Sequence, residues 1–138
     1  MQLELASGKC YKTPQSWEID DALGTLDGED NNFAILSRED EVYIQTCGTP
    51  KDGYVLEYRE GTDDTHYQSV REDIPIREVR EAFTKYASGD ESWRGMFEWK
   101  LLDLRELVRK ERIALAWVLV PLGMIVAAAL VGWLIKAQ

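Results

Sequence analysis

The architecture this sequence predicts is an α+β domain whose antiparallel sheet of about four strands is flanked by two helices, followed by a stalk helix that continues into a single transmembrane helix. Three observations predict it. Short runs rich in β-branched and aromatic residues follow one another between turns of Gly, Asp and Pro; two other stretches repeat their apolar residues at helical spacing; and the C-terminal part holds a long uncharged apolar run. These features divide the chain into a domain at 1–99, a stalk at 100–112, a spanning segment at 113–135 and a short tail at 136–138.

The first stretch, LELASGKCYKT, reads as a weak strand followed by a Ser7–Gly8 turn. In TPQSWEIDDALGTLDG, Thr13 is placed to cap, Pro14 suits a first helical position, and Ile19, Ala22, Leu23 and Leu26 recur at helical spacing. NFAILS, EVYIQTC, GYVLEYRE and THYQSV then read as strands, and the short turn-rich connections REDE, GTPKDG and GTDD make neighbours antiparallel. IPIREVREAFTKYASGD sets Ile76, Val79, Phe83 and Tyr86 on one helical face, with Gly89 placed to end that helix. Beyond Trp93, the residues Phe97, Leu101, Leu104 and Val108 fall at spacings of four, three and four, the apolar stripe of a helical stalk. The domain core is expected from Ile19, Leu23, Leu26, Ile35, Tyr43, Val55, Phe83 and Tyr86.

From Ile113 to Ile135 no side chain is charged, and the only polar groups are the indoles of Trp117 and Trp133. As a helix this segment spans about 34 Å, against about 30 Å for a bilayer core. The preceding residues are too few to wrap such a helix on all sides. Trp117 and Trp133 lie toward opposite ends, where indoles favour the headgroup boundary. Arg105, Arg109, Lys110 and Arg112 precede the segment and Lys136 alone follows it, which by the positive-inside rule puts the N-terminal domain on the cytoplasmic side of an inner (plasma) membrane. Gly123 with Ala127, and Ala128 with Gly132, are small residues four apart, a spacing that permits close helix approach and self-association.

Charge divides along the same line: residues 1–98 hold 10 Lys or Arg against 22 Asp or Glu, and residues 99–138 hold 6 against 3. Long-range attraction therefore does not bring the domain to nucleic acid or anionic lipid, whereas it draws the basic juxtamembrane stretch toward an anionic leaflet. Signs of chemistry are few. His66, the single histidine, reads as a polar loop residue leading a strand, and one histidine cannot supply a multi-histidine metal site. DGEDNN departs from a calcium loop, because Asn32 stands where the sharp-turn glycine belongs and Arg38 where a bidentate Glu belongs. No glycine-rich phosphate loop or nucleophile elbow is present. Cys10 and Cys47 match no zinc or redox spacing and read as reduced, buried packing residues. No catalysis, cofactor or metal is expected.

The helix with LGTLDG, the hairpin FAILSREDEVYIQTCG, the strand GYVLEYREG and the block VREAFTKYASGDESWRGMFEW occur in a distinctive order. Over about residues 14–99 this order resembles the type-one immunity protein family of bacterial polymorphic toxin systems. The last block is the most specific, with Ala82, Phe83, Tyr86, Gly89, Asp90, Trp93 and Trp99 in that family's pattern of a helix and its exit. The resemblance implies an antiparallel sheet covered by helices, and a function of binding and neutralising a cognate toxin, frequently one of deaminase fold. Such domains are ordinarily soluble, so the apolar C-terminal segment is a departure from the family.

The expected function is that of a membrane-anchored, cytoplasm-facing domain that captures a toxin or effector protein. Its candidate contacts are the turn acids Glu39, Asp40, Glu41, Asp63 and Asp64, which suit a basic partner. The alternative is a membrane docking or scaffold protein that holds a cytoplasmic assembly at the bilayer and self-associates through its span.

Overall fold

The structure, a computed structural model, describes residues 1–102. The expectations for the spanning segment, for Leu104 and Val108, for Arg105, Arg109, Lys110, Arg112, Trp117 and Trp133, and for Gly123, Ala127, Ala128 and Gly132 lie outside the described residues. Among the described residues no helix is long and apolar enough to cross a membrane.

The α+β class holds, but among the described residues the sheet has seven strands where the sequence predicts about four. The elements run β1 (Gln2–Leu5), β2 (Cys10–Lys12), α1 (Ser16–Leu23), β3 (Phe33–Glu39), β4 (Val42–Thr49), β5 (Gly53–Glu60), β6 (His66–Ser69), α2 (Ile76–Ser88) and β7 (Trp99–Leu101), with 3-10 turns at Asp63–Thr65 and Glu91–Met96. Every pairing is antiparallel, in the order β2-β1-β3-β4-β5-β6-β7. The weak N-terminal stretch proves to be a complete hairpin, closed where the Gly8 N–H donates to the Leu5 carbonyl at 2.9 Å with Gly8 at a left-handed φ of 83°. β7 occupies the place predicted for the first turn of the stalk helix. Phe97 and Leu101 are four apart, but Phe97, Trp99 and Leu101 also alternate, and the packing of Trp99 decides in favour of the strand.

α1 begins two residues later than Pro14, with Gln15 at the cap; Thr13 does not cap but bends the chain at a φ of 53°. The Gln15 N–H donates to the Glu18 carboxylate at 2.8 Å, which satisfies one of the donors a helix start leaves open. Ile19, Ala22 and Leu23 are buried as expected, and Leu26 is buried just past the helix end. α2 buries Val79, Ala82, Phe83 and Tyr86, and Gly89 ends it at a φ of 78°, a conformation that costs glycine nothing. The DGEDNN segment spends its first carboxylate on its own backbone: Asp27 Oδ1 accepts from the N–H groups of Glu29 and Asn31 at 2.8 and 2.9 Å. Those bonds, the Glu29 one foremost, hold the Asp27 carboxyl below its usual range.

Both helices bury into one face of the sheet, and that face carries Leu3, Leu5, Ala34, Leu36, Ile44, Tyr54, Leu56 and Tyr58. Of the strand residues expected in the core, Ile35, Tyr43 and Val55 belong to the opposite face and are only half-buried. The cause is the period of two: the core set is the even-numbered one in β3, β4 and β5, and the expected residues have the other parity. An aromatic cluster closes the far side of the core. Trp93, fully buried, meets Tyr58, Tyr86 and Trp99 edge to face at centroid distances of 5.0, 5.6 and 5.7 Å. Trp99 in turn meets the Tyr58 ring at 4.7 Å, and its indole N–H donates to the Arg94 carbonyl at 2.8 Å.

A chain ending at Glu98 should therefore be less stable than one ending at Leu102, by roughly 2–4 kcal/mol for one large aromatic and its ring contacts. Urea midpoints measure this, and equal midpoints would remove β7 from the stabilising framework. Tyr86 makes a second, pH-dependent prediction. Burial, only partly offset by the nearby Arg38, pushes its hydroxyl up to about 12, and that hydroxyl has no hydrogen-bond partner among the described residues. The folded state thus keeps this proton more tightly than the unfolded chain, so the associated stability is intact below about pH 10 and declines as pH rises through the folded value. Tyr86→Phe is expected to cost little at pH 7 and to make the alkaline decline in melting temperature shallower.

Candidate functional site

The predicted acids come from two separate turns, and the sheet brings these turns to one end. Val42 pairs with Glu60, so the β3–β4 turn carrying Glu39, Asp40 and Glu41 lies beside the β5–β6 connection, where Asp63 opens the 3-10 turn and Asp64 is exposed. The two are hydrogen-bonded directly: the Gly61 N–H donates to the Glu41 carbonyl at 2.8 Å. Glu41 sits at a φ of 60°, unfavourable for a residue with a Cβ, and is held there by that bond and by an ion pair with Arg59 at 2.7 Å.

The cations of this end are engaged by other acids. A β-bulge between Ser37 and Glu39 accompanies an Arg38 side chain that lies 3.9 Å above the Tyr86 ring and pairs with Glu91 at 2.9 Å. Arg94 pairs with Glu60 and, at 2.9 Å, with Glu91. Arg38 first and Arg94 second hold the Glu91 carboxyl below its usual range. Glu39, Asp40 and Asp64 make no ion pair among the described residues, so their charge is left uncompensated on the surface. Beside Glu39 and Asp40 a depression of about 330 Å³ is lined by Met1, Gln2, Glu4, Ser37 and Arg38 together with Glu39, Asp40 and Glu41.

The face of the sheet turned away from the helices is the other feature of note. Among the described residues no helix lies on it, and it displays Phe33, Ile35, Tyr43 and Val55. Phe33 is 39% exposed. Cys47 lies between Phe33 and Val55 in the register, and both it and Cys10 are exposed free thiols, where the sequence reading expects buried ones. The reason is again strand parity: Cys10 pairs with Glu4, and Cys47 alternates with the buried Thr46.

His66 also departs from expectation. It leads β6, as predicted, but it is only 5% exposed rather than a free loop residue. Its Nε2 lies 3.0 Å from Glu57 Oε2, which also accepts from the Gln45 side-chain amide at 2.6 Å, and its ring stands edge-on to Tyr43 at 6.0 Å. The result is a polar strip across β4, β5 and β6 amid apolar neighbours. Ile35, Tyr43 and Val55, expected in the core, thus form a surface set with Phe33 on the open face. GYVLEYRE carries the signal that finds them, because Glu57 and Arg59 mark the odd-numbered positions as the solvent side.

No protein-family model, curated protein or solved structure matches this chain.

Glu57 is the hub of the polar strip, which yields a direct test. Glu57→Leu leaves the Gln45 amide and the His66 ring without their acceptor, and should cost about 1–3 kcal/mol of stability by urea denaturation. Glu57→Gln keeps an acceptor oxygen and should cost less; a Glu57→Leu variant as stable as the native chain would deny the strip any structural value.

Proposed function

We propose that this chain is a membrane-anchored protein of the inner membrane whose cytoplasmic domain captures a toxin or effector protein, in the manner of the immunity family it resembles. It acts by binding and not by turnover, and needs neither cofactor nor nucleic acid. The observation that carries this reading is the gathering of Glu39, Asp40 and Asp64 at one end of the sheet while the neighbouring cations are taken up by other acids. Such a surface steers a basic partner into encounter, and a partner that acts on polyanions has a basic surface to offer. The 23 uncharged residues from Ile113 to Ile135 supply the anchor, with Arg105, Arg109, Lys110 and Arg112 on its cytoplasmic side.

Two measurements test it. A reporter fused after Gln138 should appear outside the cytoplasm and one fused before Met1 inside; the reverse would overturn the orientation. For the polypeptide recovered with the full-length chain from native membranes, Glu39→Lys, Asp40→Lys and Asp64→Lys together should slow association roughly tenfold at low salt. That difference should narrow at physiological ionic strength, where charges are screened beyond about 8 Å. Association that ignores both salt and charge reversal would refute electrostatic capture. A small-molecule turnover abolished by His66→Ala would refute the binding reading itself.

A further inference from the structure

We propose that the face of the sheet on which no described helix lies is the docking surface. We infer that its partner is a basic polypeptide that places a lysine or arginine side chain in the depression beside the β3–β4 turn and apolar side chains against Phe33, Ile35 and Val55. This rests on the protein-capture reading above and adds to it a location and a contact chemistry. The register places these features on one surface. Ile35 pairs with Glu4 on one side and Gln45 on the other, Ser37 pairs with Gln2 and Tyr43, and Phe33 and Val55 flank Cys47. Gln2, Glu4 and Ser37 are also walls of the depression of about 330 Å³. Apolar area and acidic pocket are therefore contiguous.

Charge selects the occupant. The side-chain cation in the depression wall, Arg38, is committed to Glu91 at 2.9 Å and to the Tyr86 ring, and Arg59 of the same face is held by Glu41 at 2.7 Å. Glu4, Glu39 and Asp40 make no ion pair among the described residues, Glu4 accepting only from the neutral Gln2 amide, and an incoming ammonium or guanidinium group meets them without breaking an internal ion pair. The groove of the helix layer presents no such bias. It measures about 480 Å³ and is lined by Asp20 and Glu81 but equally by Arg77, Arg80 and Lys85, and Lys85 pairs with Glu81 at 2.9 Å. Trp17 on that side is 64% exposed, in a helix whose acids are Glu18, Asp20 and Asp21; of these Glu18 accepts from the Gln15 N–H and Asp20 pairs with Arg80 at 3.4 Å. Rim charges of one sign beside apolar anchors are the arrangement that sets both encounter rate and register at an interface.

The test places the photo-crosslinking residue benzoylphenylalanine in the full-length chain in native membranes, at Phe33 or Val55 on the open face and at Trp17 or Arg77 on the helix layer. The expected result is a crosslink from Phe33 and Val55 to one foreign polypeptide, with Lys or Arg in the linked peptide, and a clearly weaker one from Trp17 and Arg77. Glu4→Gln, Glu39→Gln and Asp40→Asn together should lower the yield about tenfold by slowing association, with an unchanged urea midpoint showing that the fold is intact. A foreign polypeptide linked only from Trp17 and Arg77 would overturn the docking surface and leave protein capture standing. Links from the open face to a second copy of this chain, or to residues 103–138, would overturn the basic-partner assignment. Absence of any foreign polypeptide at all four positions would overturn both the surface and the capture reading.

Discussion

Trp93 is the point on which the domain turns. It is fully buried, and the three rings around it come from β5, α2 and β7, so one indole ties the helix layer to the sheet and to its last strand. Its neighbours in sequence set the charge pattern at the end of the sheet. Glu91 and Arg94 flank it in the same 3-10 turn and engage Arg38 and Glu60. Asp90 opens that turn by accepting from the Ser92 N–H at 3.0 Å, and Gly89 supplies the left-handed residue that lets α2 stop just before it. The uncompensated acids of the β3–β4 turn are thus a downstream effect of a packing decision: once Trp93 is seated, the nearby cations have partners, and Glu39 and Asp40 do not.

The same residues explain the motif in the last block of the domain. Ala82, Phe83 and Tyr86 are buried on the inner face of α2, and Gly89, Asp90, Trp93 and Trp99 form its exit and the aromatic closure. They specify an architecture, and the acids and open-face residues around them specify what the surface offers. A resemblance carried by such positions speaks first to fold, and binding specificity has to be sought elsewhere in the chain.

Much of the fold was legible because its signals are local. Helix α2 is amphipathic and ends in a glycine, and β5 alternates cleanly, so spacing alone locates both. What escaped was whatever depended on a partner distant in sequence. FAILS is apolar at both parities, so β3 cannot be phased from its own residues and takes its inner face from β4 and α2. β7 is three residues long and is a strand because Tyr58 and Trp93 await Trp99. His66 is buried because Glu57, nine residues earlier on the neighbouring strand, receives it. The acidic turns were legible as turns, but their meeting at one end follows only from the pairing of β4 with β5.

The sheet also tapers. Its central strands β4 and β5 are eight residues long, whereas the outermost, β2 and β7, have three each. Short outer strands present few unpaired backbone N–H and C=O groups, which discourages another chain from extending the sheet by strand addition. Affinity that came from backbone pairing would be nearly blind to sequence, since every polypeptide carries the same amides. A tapered sheet instead leaves discrimination to side chains, and side chains on a helix-free face can be exchanged one at a time without disturbing the core beneath. The scaffold is accordingly one whose outer-face side chains can be replaced while the fold stays put.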